Sequence, residues 1–264
     1  MILKDLTSAI ADLGLMTFAY VVITLLGICI GSFCNVLIYR IPKGEEFVKT
    51  SSHCMTCGHK LAWYDNIPLF SWITLGGKCR YCKVKLSAQY PIVEAFNGLL
   101  WFIIFFVKGF SLEALLLSLM TTALLALSVI DWRTFEINNG FHYFFIALAV
   151  IQIISDYKNF LSYLIGFFAV SIPLLLIYVI SKGTAIGGGD VKLMAACGLL
   201  LGWKNIALAL MFGCVLGAAI HVFRMKFFNA GRKLAMGPYL SMGIFIASLW
   251  GTQLLTWYLT FLGV

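Results

Sequence analysis

Along most of the chain, apolar residues come in long runs separated by short polar breaks, with neither the strict alternation of a strand nor the polar stripe of a soluble helix. A membrane-spanning helix needs about 20 mostly apolar residues. Eight runs fit or approach that template, at residues 17–39, 91–107, 112–130, 139–154, 160–180, 191–202, 206–223 and 239–262. The sixth is short: at about 1.5 Å per residue it falls well below a hydrocarbon core of about 30 Å, so it must thin the bilayer or lean on neighbouring helices. The first is too long for the apolar core of a cleavable signal peptide. Gly31 and Ser32 lie inside it and Arg40 closes it, so it reads as a retained anchor. The pattern predicts an all-α polytopic membrane protein with about eight transmembrane helices in three segments. These are an N-terminal segment with the first span (1–39), a polar loop domain (40–90) and a transmembrane core (91–264).

Composition agrees. Apolar residues make up 61% of the 264 positions and charged residues only 11%, with a mean hydropathy of +0.96, so an ordinary water-soluble domain is excluded. Charge then orients the chain. With eight spans, all of the 19 basic residues except Lys4, Lys108, Lys158 and Lys204 fall on one side, Lys49 and Arg232 included. Cytoplasmic loops hold the excess of Lys and Arg. Both termini are therefore expected outside a cytoplasmic (inner) membrane, with the 40–90 loop inside. The net charge of +8 is read as a topology signal, and nucleic acid is not an expected partner.

The polar loop carries the strongest local motif. Cys54-Met-Thr-Cys57 and Cys79-Arg-Tyr-Cys82 are two CxxC pairs separated by 21 residues, the arrangement that places four thiolates around a tetrahedral zinc ion. Lys60, Lys78, Arg80 and Lys83 favour deprotonated thiols. Four sulfurs leave no open position, so the metal is expected to be structural, stapling a loop with little apolar mass. Disulfides or redox pairs are the alternative, and a reducing compartment argues against them. His53 and His59 flank the first pair and could substitute as ligands, although solvated histidines are the simpler reading. Cys29, Cys34, Cys197 and Cys214 lie in apolar spans and read as packing residues, as do Gly213 and Gly217.

Ionisable groups at the rim of a span are costly and mark function. Asp131 follows the third run and Asp190 precedes the sixth; Glu94, Glu136 and Asp65 lie on the same side. Topology puts Asp131 and Asp190 in one layer without requiring that they meet. Two neighbouring carboxylates share one proton, the arrangement of aspartic proteases, in which the ionised partner activates water and the protonated one polarises the scissile carbonyl. Ala185-Ile-Gly-Gly-Gly-Asp-Val-Lys192 puts three glycines before an acid at a span entrance, where backbone can approach substrate closely. A phosphate loop is excluded by the missing GK[ST] ending. The plainer alternative is a flexible loop in which Asp190 merely caps a helix.

Gly187-x-Gly189-Asp190 is also the GxGD pattern of intramembrane aspartic proteases, and the chain resembles the bacterial type IV prepilin peptidases over nearly its whole length. The matching segments are Gly31-Ser-Phe-Cys-Asn-Val-Leu-Ile-Tyr-Arg-Ile-Pro42, both CxxC pairs, Asp65-Asn-Ile-Pro-Leu-Phe-Ser-Trp72, Gln89-Tyr-Pro-Ile-Val-Glu94, Asp131-Trp-Arg-Thr-Phe-Glu-Ile137 and Gly189-Asp-Val-Lys192. Asn138 stands where the family usually has proline. The resemblance implies a bifunctional enzyme with Asp131 and Asp190 catalytic and Gly187, Gly189 and Lys192 in the active-site loop. It removes the basic leader from prepilins and pseudopilins of pilus or secretion systems, on the cytoplasmic side. It then methylates the new amino terminus with S-adenosylmethionine, and Gly77 is tied to that second reaction. Glu45, Glu46, Glu94 and Glu136 are candidates to attract the leader, and the short sixth span is expected to admit water beside Asp190. Two rivals remain at this point: a transporter using the two aspartates as a proton relay, and a non-catalytic scaffold.

Overall fold

A computed structural model describes residues 2–46, 51–228, 231 and 233–263; Lys49 and Arg232 of the basic set lie outside the described residues. Helices dominate, and among the described residues extended structure is limited to two isolated bridges, His53 with Lys60 and Lys78 with Lys85. The chain divides into two compact units, Met1–Ser118 and Leu119–Val264.

In the first unit, α1 (Ile2–Arg40) packs on α3 (Gln89–Lys108). The pair is antiparallel: Gly27 meets Trp101 and Gly98, Gly31 meets Asn97 and Glu94, and Asn35 donates to the Tyr90 carbonyl at 3.1 Å. Small residues set this close approach, since a Cβ on Gly98 would sit 2.4 Å from Ile28 Cγ1. Asn97 is wholly buried and donates to the Gly27 carbonyl at 2.7 Å, satisfying a polar group that hydrocarbon would penalise. Between the two helices the loop forms two metal-knuckle turns and a short helix, α2 (Phe70–Thr74). Glu94 of α3 is buried and accepts the Leu69 backbone N–H at 2.8 Å, which seats α2 against α3. Glu94 is therefore engaged within the fold.

The second unit holds most of α4 (Leu112–Thr134), then α5 (Asn139–Ser155), α6 (Phe160–Ala169), α7 (Ser171–Ile180), α8 (Gly188–Leu201), α9 (Trp203–Phe228) and α10 (Gly237–Phe261). Six of the eight expected spans correspond to helical segments long and apolar enough to cross a membrane; the fourth and sixth correspond to the shorter α5 and α8. The expected fifth span is two helices broken at Val170. Pro173 is the cause, because it has no N–H to offer the Ala169 carbonyl and its ring crowds that position. α8 covers only about 21 Å and packs against α5, α6, α7, α9 and α10, with most of its residues buried. Its shortness is thus accommodated by protein on several sides. Gly166 of α6 and Gly198 of α8 bring the two backbones into contact, a Cβ on either falling within 2.3 Å of the other's carbonyl oxygen. Gly213 and Gly217 of α9 face Tyr239 and Leu240 of α10, as packing residues should.

Candidate active site

Asp131 lies in the last turn of α4 and is 5% exposed. Its Oδ2 accepts the Gly237 backbone N–H at 2.9 Å, at the first residue of α10, where unpaired N–H groups and the helix dipole favour an anion. Gly237 has no room for a side chain: a Cβ there would lie 2.7 Å from Asp131 Oδ2 and 3.1 Å from its Cβ and Cγ. Asp190 sits in the first turn of α8, whose N-cap is Gly187, and its carboxylate folds back onto the Gly187 backbone N–H. The Asp131 charge acts on Asp190. Two acids 59 positions apart in sequence thus come within electrostatic reach, each held at a helix N-terminus.

The start of α5 braces the Asp190 turn. Asn138 takes over the turn-forming task usual for proline there, its Oδ1 accepting the Gly140 N–H at 2.8 Å as an N-cap. Lys192 Nζ donates to Asn139 Oδ1 at 3.0 Å, so this lysine ties α8 to α5. Gly189 packs on Ile137, which a Cβ would approach to 3.0 Å. His142 is buried, and its Nε2 lies 3.1 Å from the Gly189 carbonyl oxygen. A carbonyl only accepts, so Nε2 carries the proton, and Nδ1 is left buried without a hydrogen-bond partner. Gly187, Gly189, Lys192, Asp131 and Asp190 therefore form one neighbourhood.

In the first unit Cys54, Cys57, Cys79 and Cys82 converge, all four sulfurs within 4.8 Å of one another. Cys54 Sγ and Cys82 Sγ are 3.8 Å apart, the spacing of two vertices of a tetrahedron with Zn–S bonds of about 2.3 Å. The two turns repeat one backbone: Gly58 N–H donates to the Cys54 carbonyl and Lys83 N–H to the Cys79 carbonyl, both residues with φ near +60° to +70°. Backbone N–H groups of Cys57 and Thr56 bring the Cys54 thiol down to about 6, so it is a ready thiolate. His53 and His59 stand outside the cluster; His59 stacks on Tyr81 with ring centroids 3.5 Å apart. The donor set fits zinc. Gly77, with φ +67°, lies under Trp72, whose Cζ2 a Cβ would approach to 2.8 Å.

Two family models match in the order of these units. The bacterial peptidase A24 N-terminal domain covers residues 25–108 and the type IV leader peptidase family covers residues 118–222. A prepilin leader peptidase/N-methyltransferase of Stutzerimonas stutzeri is 32% identical over 89% of this chain and 92% of its own length. The chain belongs to the type IV leader peptidase family. Proteins of the same description from Pseudomonas aeruginosa (30% identical, 93% of this chain and 95% of the relative) and Vibrio cholerae (32%, 79% and 87%) match as well. No solved structure matches. Within this leader peptidase, Gly237 and His142 escaped the reading of the sequence. A glycine-proline pair opening the last span and a histidine inside an apolar run were the available signals.

Proposed function

We propose that the chain is a bifunctional prepilin leader peptidase and N-methyltransferase of the inner membrane, with Asp131 and Asp190 as the aspartic catalytic pair. The carrying observation is that these two acids, one at the N-terminus of α8 and one at that of α10, lie within electrostatic reach of each other. One carboxylate, ionised, takes a proton from water, while the other, protonated, hydrogen-bonds the scissile carbonyl and then protonates the leaving amine. Gly187 and Gly189 keep side chains away from that turn, and Lys192 holds it to α5. The excess of basic residues in the loops supports a pair on the cytoplasmic side with both termini outside, where the basic leader of a prepilin or pseudopilin meets its apolar helix.

The second activity belongs with the loop. Cys54, Cys57, Cys79 and Cys82 hold a structural zinc ion that fixes the two knuckles. S-adenosylmethionine supplies the methyl group, and Gly77 acts through the residues around it. The proton-relay reading is set aside, because family membership accounts for both aspartates and both cysteine pairs. Incubation with a prepilin and S-adenosylmethionine, followed by mass analysis of the mature amino terminus, tests both reactions together. A leader left intact would reject the peptidase reading, and a cleaved but unmethylated product would reject the second.

Two predictions concern positioning. Gly237→Ala is expected to push Asp131 off its anchor and lower the cleavage rate by about 10²-fold, the cost of misplacing a catalytic group by about 1 Å; wild-type rates would remove Gly237 from the site. His142→Leu is expected to lower kcat about tenfold with little change in KM, while His142→Gln, which restores an N–H to the Gly189 carbonyl, recovers most of it. Equal loss in both variants would mean that the histidine only fills space.

A further inference from the structure

In the first unit, the end of α1, the start of α3 and the knuckle loop enclose a cavity of ≈ 190 Å³. Tyr39, Trp72 and Tyr90 line it, with the carboxyl groups of Asp65 and Glu94. Each acid is tethered but has acceptor capacity to spare: Asp65 takes the Arg80 guanidinium at 2.7 Å and Glu94 takes the Leu69 N–H. Trp72 differs. Its indole Nε1 is buried and has no hydrogen-bond partner, a costly state for a donor.

We infer that this cavity is the methyl-donor site, that the Trp72 indole N–H is a recognition donor for S-adenosylmethionine, and that Gly77 serves methyl transfer by setting the place of that indole. The inference rests on the N-methyltransferase reading above and adds where the donor sits. The chemistry matches in three respects. Aromatic walls suit a planar purine and a sulfonium cation. Two carboxyl groups stand at the wall with the guanidinium groups of Arg40 and Arg80, a mixed lining that suits a ligand carrying both cationic centres and a carboxylate. An unpaired donor matches a ligand rich in acceptors. Gly77 then has a physical role: with φ +67° and Trp72 Cζ2 2.8 Å from where a Cβ would stand, any larger residue both strains the turn and displaces the ring. Val36 lines the cavity from α1.

The test uses full-length protein in detergent and S-adenosylhomocysteine, which keeps the purine and the acceptor groups of the donor but carries neither its transferable methyl group nor its sulfonium charge. Titration calorimetry is expected to show binding to wild type and about tenfold weaker binding to Trp72→Phe, which keeps the ring and removes one hydrogen bond. Gly77→Ala is expected to weaken binding at least as much. Retained zinc and an unchanged melting temperature report an intact loop. Should Trp72→Phe lose either, Val36→Phe, which narrows the cavity from α1 and keeps the indole, is expected to weaken binding in its place. Methylation of a cleaved pilin by wild type, with wild-type affinity in Trp72→Phe and Val36→Phe, would overturn the cavity assignment and leave the N-methyltransferase reading standing. Absence of both methylation and binding in wild type would overturn that reading and the inference with it.

Discussion

Asp131→Asn and Asp190→Asn are each expected to abolish prepilin cleavage while the protein stays folded in the membrane. Asparagine keeps the size of aspartate and can still accept the N–H of Gly237 or Gly187, so the helix N-termini keep their partners. What it loses is the ability to ionise or to lend a proton, and each general acid–base group contributes about 10²–10⁴-fold. Because the two acids act as one unit, the double variant should be no slower than the worse single one. Gel and mass analysis of a model prepilin measures the rate. Methylation of an already cleaved pilin, read on the same samples, should persist, since Met1–Ser118 forms its own compact unit apart from Leu119–Val264. Cleavage within tenfold of wild type in either variant would remove that aspartate from the chemistry.

Cys54→Ser is expected to have the opposite pattern. Three thiolates and a hydroxyl make a poor tetrahedral site, so zinc by elemental analysis should fall from one ion per chain to near zero. Structural zinc in isolated finger peptides is worth about 10–16 kcal/mol of folding free energy, and the loop has little apolar core to replace it. Methylation should be lost, with leader removal retained to a greater extent because both aspartates lie in the other unit. Strong chelation of wild-type protein should reproduce the effect. Zinc-free protein that methylates at the wild-type rate would exclude a metal requirement.

Chain position carried information of uneven reach. Runs of apolar residues announced the helices because backbone groups in a bilayer must be satisfied within the segment, which ties length to composition. Even the break at Val170 was latent there, in Pro173 within a run otherwise read as continuous. The cysteine pairs were legible for a similar reason, since a knuckle is a four-residue backbone turn and two of them at moderate spacing have few other uses. The short sixth run was legible as short, but not how that shortness is borne. α8 is surrounded by five other helices, an arrangement that rests on glycine contacts such as Gly166 with Gly198, too common in membrane spans to be diagnostic alone.

The two aspartates separate most sharply into what each level decides. By itself the sequence determined that Asp131 and Asp190 end and begin spans on the basic side, because charge distribution sets depth and orientation. It also determined the family-like motifs around them. Only the tertiary structure decided that they come within electrostatic reach, which partners they have, and that Gly237, 106 residues beyond Asp131, leaves the carboxylate its space. Depth is a one-dimensional property summed along the chain, and a sequence carries it openly. Contact between distant helices depends on which small residues let backbones close and which polar groups are left to pair, and those choices are made only when the whole unit packs.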